Sequence, residues 1–194
     1  VGSINAISET LTASIPLVLA GLGIGLAFRA GLFNIGAEGQ MVIGGLAAAI
    51  ASFSITGLPM TIHMPLVLII GLVFGGIYAA IAGFLRAATG AHEVISTIML
   101  NLISFRLLDY LLRQPVIQKE GRSDPISKAV LDTAELPRLL SFIDPNLRLH
   151  LGLFLMLGAV ALVYWLLFRS KLGFAFRISG ENPDAARYAG IRAG

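Results

Sequence analysis

The sequence predicts an all-α fold: a polytopic transmembrane helix bundle with about five spans and one short cytoplasmic helix. Three observations carry this. Of 194 residues, 56% are hydrophobic and only 13% charged, where soluble domains carry about a quarter charged. Mean hydropathy is +0.84. The apolar residues gather in five runs, 10–28, 41–58, 65–86, 94–112 and 150–168, close to the ~20 residues that cross ~30 Å of hydrocarbon.

The first run holds Pro16, read as a kink or an early-turn proline. The third, "PLVLIIGLVFGGIYAAIAGFL", and the fifth, "HLGLFLMLGAVALVYWLLF", are the purest. The fourth carries Asn101, Arg106 and Asp109. Glycine and alanine are frequent, with Gly71 and Gly75 at small-xxx-small spacing. In lipid, small residues let helix backbones approach closely, so their abundance predicts a tightly packed bundle.

Positive charge sets the expected orientation. Arg169, Lys171, Arg177, Arg187 and Arg192 follow the fifth run, against Glu181 and Asp184 only, so that end is placed in the cytoplasm. Counting crossings backwards puts the 87–93 turn beside Arg86, and also Arg29, on the same side. The 59–64 turn, without Lys or Arg, is then outside. So is the 113–149 connection, an irregular loop with Pro115, Pro125, Pro137 and Pro145, in which "AELPRLLSF" could form a short interfacial helix. The first residue is Val1, residues 1–9 have no basic n-region, and Ala193-Gly194 follow a polar segment. A piece of a longer protein, without a cleavable signal peptide here, is expected.

Four polar constellations interrupt this apolar chain. In "GLFNIGAEGQ", 31–40, Asn34 and Glu38 are four apart and share a face if the segment is helical. Gly31, Gly36 and Gly39 permit a break or close backbone contact. The segment is either a broken, tightly packed start of the second span lining a central path, or a cytoplasmic turn with Glu38 solvated. In 90–105, Glu93, Thr97, Asn101 and Ser104 fall at intervals of four, four and three, a polar stripe that should face the bundle interior. It serves either hydrogen bonding between helices or contact with a polar solute. His92 is read as a helix-entry or interface residue. Arg106, Asp109 and Arg113 are read as an intrahelical ion pair with snorkelling arginines.

The fourth constellation is cytoplasmic. Asn182 suits an N-cap, Pro183 the first helical position and Asp184 the positive dipole end. Ala185, Ala186, Arg187, Tyr188 and Ala189 continue, and Gly190 suits a C-terminal stop. A helix of about two turns is marginal alone, so either it packs on a partner surface, its own bundle or another protein, or it is a surface linker helix.

Several chemistries are excluded. The chain has no cysteine, hence no disulfide framework or thiolate metal site. It has no GxxxxGK[ST] loop, HExxH or GxSxG. His63, His92 and His150 are scattered near span ends. No catalytic or metal-binding residue is assigned. The net charge of +3 forms no single basic patch, so no nucleic-acid partner is expected.

Three motifs together, "GLFNIGAEGQMVIGG" (31–45), "GAHEVISTIMLNLI" (90–103) and "LGFAFRISGENPDAARYAGI" (172–191), resemble permease subunits of bacterial ABC importers. The group is the branched-chain amino acid, ribose and nucleoside family, and "FNIGAEGQ" looks most like its nucleoside (simple sugar) type. The resemblance covers nearly the whole chain but only the front part of such a subunit, 1–194 being a single permease domain. It implies a multi-pass protein of the bacterial plasma (inner) membrane. Implied partners are a second permease subunit, cytoplasmic ATPase subunits and an extracytoplasmic solute-binding protein. ATP and Mg would sit on the ATPase, with no cofactor in this chain. "GENPDAARYAGI" resembles the family's coupling helix. Gly180, Glu181, Asn182, Pro183, Ala185, Ala186, Arg187 and Gly190 are thus the candidate ATPase-coupling residues, and Ala186→Asp should weaken docking more than it weakens the bundle. Asn34, Glu38, Glu93, Thr97 and Asn101 become candidates for the translocation path. Nucleoside, ribose-like sugar and branched-chain amino acid are the expected solutes, in that order. Two other classes stay open: an ion-coupled secondary transporter using Glu38 or Glu93, and a non-transporting membrane scaffold.

Overall fold

The computed structural model describes residues 2–142, 144, 146–188 and 190–191. Val1, Pro145, Ala189, Arg192, Ala193 and Gly194, used in the expectations above, lie outside these residues, as does the side chain of Pro183. The described chain forms seven α-helices: α1 (Ile4–Arg29), α2 (Ala37–Ser54), α3 (Met60–Thr89), α4 (Glu93–Leu112), α5 (Gly152–Arg169), α6 (Lys171–Glu181) and α7 (Pro183–Tyr188). A short 3₁₀ turn occupies Asp132–Ala134. No strand occurs among the described residues, only the isolated bridges Gln118–Ser127 and Arg138–His150.

Helices α1, α3, α4 and α5 are long and apolar enough to cross a membrane. The second expected run, 41–58, falls mostly in α2 (Ala37–Ser54), which has 18 residues but spends its first turn on Glu38 and Gln40. Boundaries shift elsewhere. Helix α1 starts well before residue 10, so Pro16 is an interior proline and not an early-turn one. Residues 60–64, expected as a turn, belong to α3.

The chain divides into two compact units, Val1–Asn34 with Leu136–Gly194, and Ile35–Glu135. In the first, α1 packs on α5 and touches α6, while α6 packs on α5 and α7. Ser3 caps α1 by accepting from the Ala6 N–H at 3.3 Å. The hydroxyls of Thr10, Thr12 and Ser14 donate to carbonyls three or four residues back, which satisfies them inside an apolar helix. The other end of α1 is a Schellman stop. Gly31 takes φ +76°, its N–H donates to the Phe28 carbonyl, and the Leu32 N–H donates to the Ala27 carbonyl.

In the second unit, α2 packs chiefly against α3 and then α4. The α2–α3 seam is glycine on glycine: a Cβ on Gly44 would lie 2.8 Å from the Gly71 carbonyl oxygen, and one on Gly75 would lie 3.2 Å from that of Gln40. The small-xxx-small pair of α3 therefore faces α2, where backbones meet closely. Tyr78 of α3 donates its hydroxyl to the Leu100 carbonyl of α4 at 2.7 Å. His63, fully buried on α3, shares a 2.7 Å hydrogen bond with Thr133 Oγ1, tying the 3₁₀ turn to the helix.

The interfacial helix expected over "AELPRLLSF" does not form. Pro137 disfavours helix for Leu136 and lacks an amide donor. The strip instead pairs with the segment before α5, Leu139 N–H to Leu149 O and Leu151 N–H to Pro137 O.

Candidate functional site

Two places hold the residues singled out by sequence, one in each unit, and both concern how a helix begins. The first is the start of α2. Its N-cap, Gly36, has no side chain to satisfy the free amides of the first turn. Asn101, in the middle of α4, supplies one from across the unit. Its Oδ1 accepts the Gly39 N–H at 2.9 Å, and its Nδ2 donates to the Ile35 carbonyl at 3.1 Å. One amide side chain thus closes the last residues before α2 and its first turn together. Gly39 makes this possible: a Cβ there would lie 2.8 Å from Asn101 Oδ1, 3.0 Å from Ser104 Oγ and 3.1 Å from Asn101 Cα. Both Gly36 and Gly39 are buried. The backbone at the start of α2 is held by protein, through Asn101.

The remaining members of the stripe stay within their own neighbourhood. Thr97, 2% exposed, donates to the Glu93 carbonyl at 2.8 Å. Ser104, fully buried, donates to the Asn101 carbonyl at 2.7 Å. Glu93 forms an ion pair with Arg86, which bridges the turn from α3 to α4. His92 is the α4 N-cap residue, as expected. Of the two jobs the stripe could do, Asn101 performs hydrogen bonding between helices. Glu38 sits in the first turn of α2 and is exposed, where its charge favours the helix dipole. Asn34 precedes α2 and belongs to the other unit, so the four-residue spacing to Glu38 is not a helical face. Asp109 and Arg113 pair as expected, at 3.1 Å and largely exposed.

The second place is the α6–α7 segment. Ser170 caps α6, accepting from the Gly173 N–H at 3.0 Å. Arg177 of α6 lies over the Phe168 ring, 5.4 Å from its centroid. A single residue, Asn182, separates α6 from α7. Its N–H ends α6 on the Ile178 carbonyl. Its Oδ1 starts α7, accepting the N–H groups of Asp184 and Ala185, each at 3.0 Å. The far end is another Schellman stop: Gly190 at φ +76°, with Gly190 N–H to Arg187 O and Ile191 N–H to Ala186 O. Two turns of helix are therefore capped at both ends by local chemistry.

The faces of α7 differ. Ala186 has no exposed surface, which corrects the expectation for Ala186→Asp: a carboxylate there would be buried, so the change unseats α7 rather than probing its outer face. Asp184, Arg187 and Tyr188 line an open surface depression, and Tyr188 is 97% exposed. Glu181 and Ala185 are exposed as well. Gly180 lies at the other end of the segment, against the backbone of Arg29 and Gly31.

Sequence reasoning missed α6, although Ser170 ahead of an unbroken helical stretch was a visible N-cap signal. It noted Arg86 only as a marker of orientation, not as the partner of Glu93. It also assigned no partner to Gly39, because the partner is 62 residues away.

Comparison with known proteins places this architecture. Residues 6–194 match the family model described as branched-chain amino acid transport system / permease component. The chain is 36% identical over 190 residues to the guanosine ABC transporter permease protein NupP of Bacillus subtilis, covering 98% of this chain and 53% of that one. It is 35% identical over 195 residues to the nucleoside ABC transporter permease protein NupB of Lactococcus lactis, covering 99% and 54%. It is also 35% identical over 191 residues to a glucose ABC transporter permease protein of Haloferax volcanii, covering 95% and 50%. The chain thus spans about half the length of the curated relatives it matches. No solved structure matches. With four helices able to cross a membrane and a family match over nearly every residue, this multi-pass membrane chain belongs to the permease-component family of branched-chain amino acid transport systems.

Proposed function

We propose that the chain is part of the membrane permease subunit of an ATP-driven importer for nucleosides or related sugar-bearing solutes. The observation that carries this reading is α7. A helix of six residues cannot persist on propensity alone, yet this one is capped at both ends and holds a charged and aromatic face outward. Such an element is built to be gripped. On this reading the partner is a cytoplasmic ATPase that binds ATP and Mg, and its closure pushes on α7. The relatives whose names include guanosine, nucleoside and glucose support a ribose- or hexose-bearing solute, with nucleosides first.

The proposal extends to the rest of the machine. A second permease subunit completes the pore, and an extracytoplasmic binding protein delivers solute. The basic end after α5 lies in the bacterial cytoplasm, and the bilayer is the inner membrane. The ion pair of Glu93 with Arg86 engages one of the two carboxylates, Glu38 or Glu93, that an ion-coupled mechanism would use. The path residues Asn34, Glu38, Glu93, Thr97 and Asn101 then act chiefly by shaping the wall of the path.

Vesicles carrying the full-length subunit, its ATPases and its binding protein should take up labelled guanosine only with ATP inside the compartment that holds the ATPase. Excess glucose should compete weakly. Uptake that persists with a hydrolysis-dead ATPase would reject the importer reading in favour of ion coupling. No uptake of any solute would favour a scaffold.

A further inference from the structure

The segment gripped at α7 must push on something, and the structure shows what it touches. Gly180, next to last in α6, sits directly on the cap that ends α1. A Cβ on Gly180 would run into the Arg29 carbonyl oxygen, with Gly31 N at 2.8 Å and the Arg29 carbonyl carbon at 3.0 Å. Seen from the other side, a Cβ on Gly31 would lie 3.1 Å from Gly180 Cα. Every one of these atoms is backbone, so no side chain can rotate aside to absorb a displacement. Gly31 is also the left-handed residue of the α1 Schellman stop, a position that no other residue type fills without strain.

We infer that Gly180 and Gly31 form a backbone-to-backbone joint that passes movement of the α6–α7 segment to the end of α1. The inference rests on the importer reading and names the contact through which coupling runs. Asn182 is the single residue between Gly180's helix and α7, and its side chain fixes the first turn of α7. A force on the outer face of α7 therefore reaches Gly180 through two capped, hydrogen-bonded helix ends. At the joint it meets the Arg29–Gly31 backbone, from which the chain runs on as Leu32-Phe33-Asn34 into the "IGAEG" that begins the second span. Gly180 is a positioning residue in this scheme; it touches neither solute nor nucleotide.

The test separates coupling from folding. Full transporters in vesicles would be compared as wild type, Gly180→Ala and Gly158→Ala, the last placing the same methyl on α5 where nothing lies within 4 Å. The readout is solute moved per ATP hydrolysed, which loss of folded protein does not change. Gly180→Ala is expected to lower that ratio about fivefold or more, the low end of ordinary coupling between sites, with Gly158→Ala at the wild-type ratio. A second measurement needs no variant: hydrogen exchange at the Gly31 and Leu32 amides of the wild-type transporter should differ between its ATP-bound and nucleotide-free states. An unchanged ratio in Gly180→Ala, or unchanged exchange at those amides, would overturn the joint while wild-type uptake leaves the importer reading standing. Wild-type vesicles without ATP-dependent uptake would overturn both.

Discussion

The starts of α2 and α7 solve one problem in opposite ways. Each helix begins with free amides that need acceptors. At α7 the acceptor is Asn182, two and three residues from the amides it serves. At α2 the acceptor is Asn101, on another helix 62 residues along the chain. A local cap makes a helix start independent of its surroundings. A cap in trans makes it conditional on them: α2 keeps its first turn in register only while α4 stays against it. The difference fits the two settings. The α7 segment has to be stiff in itself if it is to transmit a push. The α2 start, with Gly36 and Gly39 buried against a neighbour, can be re-set by moving that neighbour.

The comparison can be broken first at Gly39. Gly39→Ala would place a methyl 2.8 Å from Asn101 Oδ1 and 3.1 Å from Asn101 Cα. The amide can swing away only by giving up both its bonds, and the α4 backbone cannot swing at all. The expected loss is about 3 kcal/mol, the upper part of the range for overpacking, measured by thermal or chemical unfolding of the full-length subunit in detergent. Asn101→Ala comes next. It leaves the Gly39 N–H and the Ile35 carbonyl without their partner, which costs about 1–3 kcal/mol for such groups. The double variant sharpens the assignment. Because removing the amide relieves part of the clash, the two losses should sum to more than the double variant shows. Strict additivity would mean that Asn101 does not hold the start of α2.

Much of the local arrangement was legible in the sequence, and the reason is spacing. "ENPDAARYAGI" carries N-cap, N1 proline and C-terminal glycine within one short window, and the structure uses Asn182 and Gly190 as that order predicts. The apolar runs are legible because burial in lipid acts on composition over some twenty residues. The stripe Glu93, Thr97, Asn101, Ser104 was legible as a face, but its use was not. Helical periodicity says which residues look the same way, not what they look at. Asn101 meets a backbone amide, Glu93 meets Arg86 and Thr97 turns back on its own helix. Asn34 and Glu38 show the same limit: a four-residue spacing means a shared face only inside a helix, and α2 starts after Asn34.

At α7 the corresponding change is smaller. Asn182→Ala removes one local acceptor from a short helix whose amides can turn to water, so the loss should be about 1 kcal/mol. Asn182→Asp, which keeps an acceptor in place, should recover most of it. Unfolding of the whole subunit will barely register either variant, so exchange at the Asp184 and Ala185 amides is the sensitive measurement. If Asn182→Ala destabilised the subunit as much as Asn101→Ala, the contrast between a local cap and a cap in trans would fail.

The smallest effect on stability belongs to Tyr188, an exposed side chain on α7. Tyr188 is 97% exposed and Ala186 is wholly buried on the same two turns. Tyr188→Ala removes no packing within the chain, and its effect on unfolding should stay within about 0.5 kcal/mol. Aromatic residues that stand out from a rigid element are typical anchors of an interface, and truncating one costs about 2 kcal/mol or more of binding. On the importer reading, affinity for the proposed ATPase, measured by titration in nanodiscs, should therefore fall by at least about tenfold while the melting curve stays put. Ala186→Asp should do the reverse, lowering the melting curve and losing ATPase binding only as α7 comes off α6. Equal ATPase affinity for wild type and Tyr188→Ala would mean that the outward face of α7 is not the gripped one, and that its two caps stabilise a surface turn.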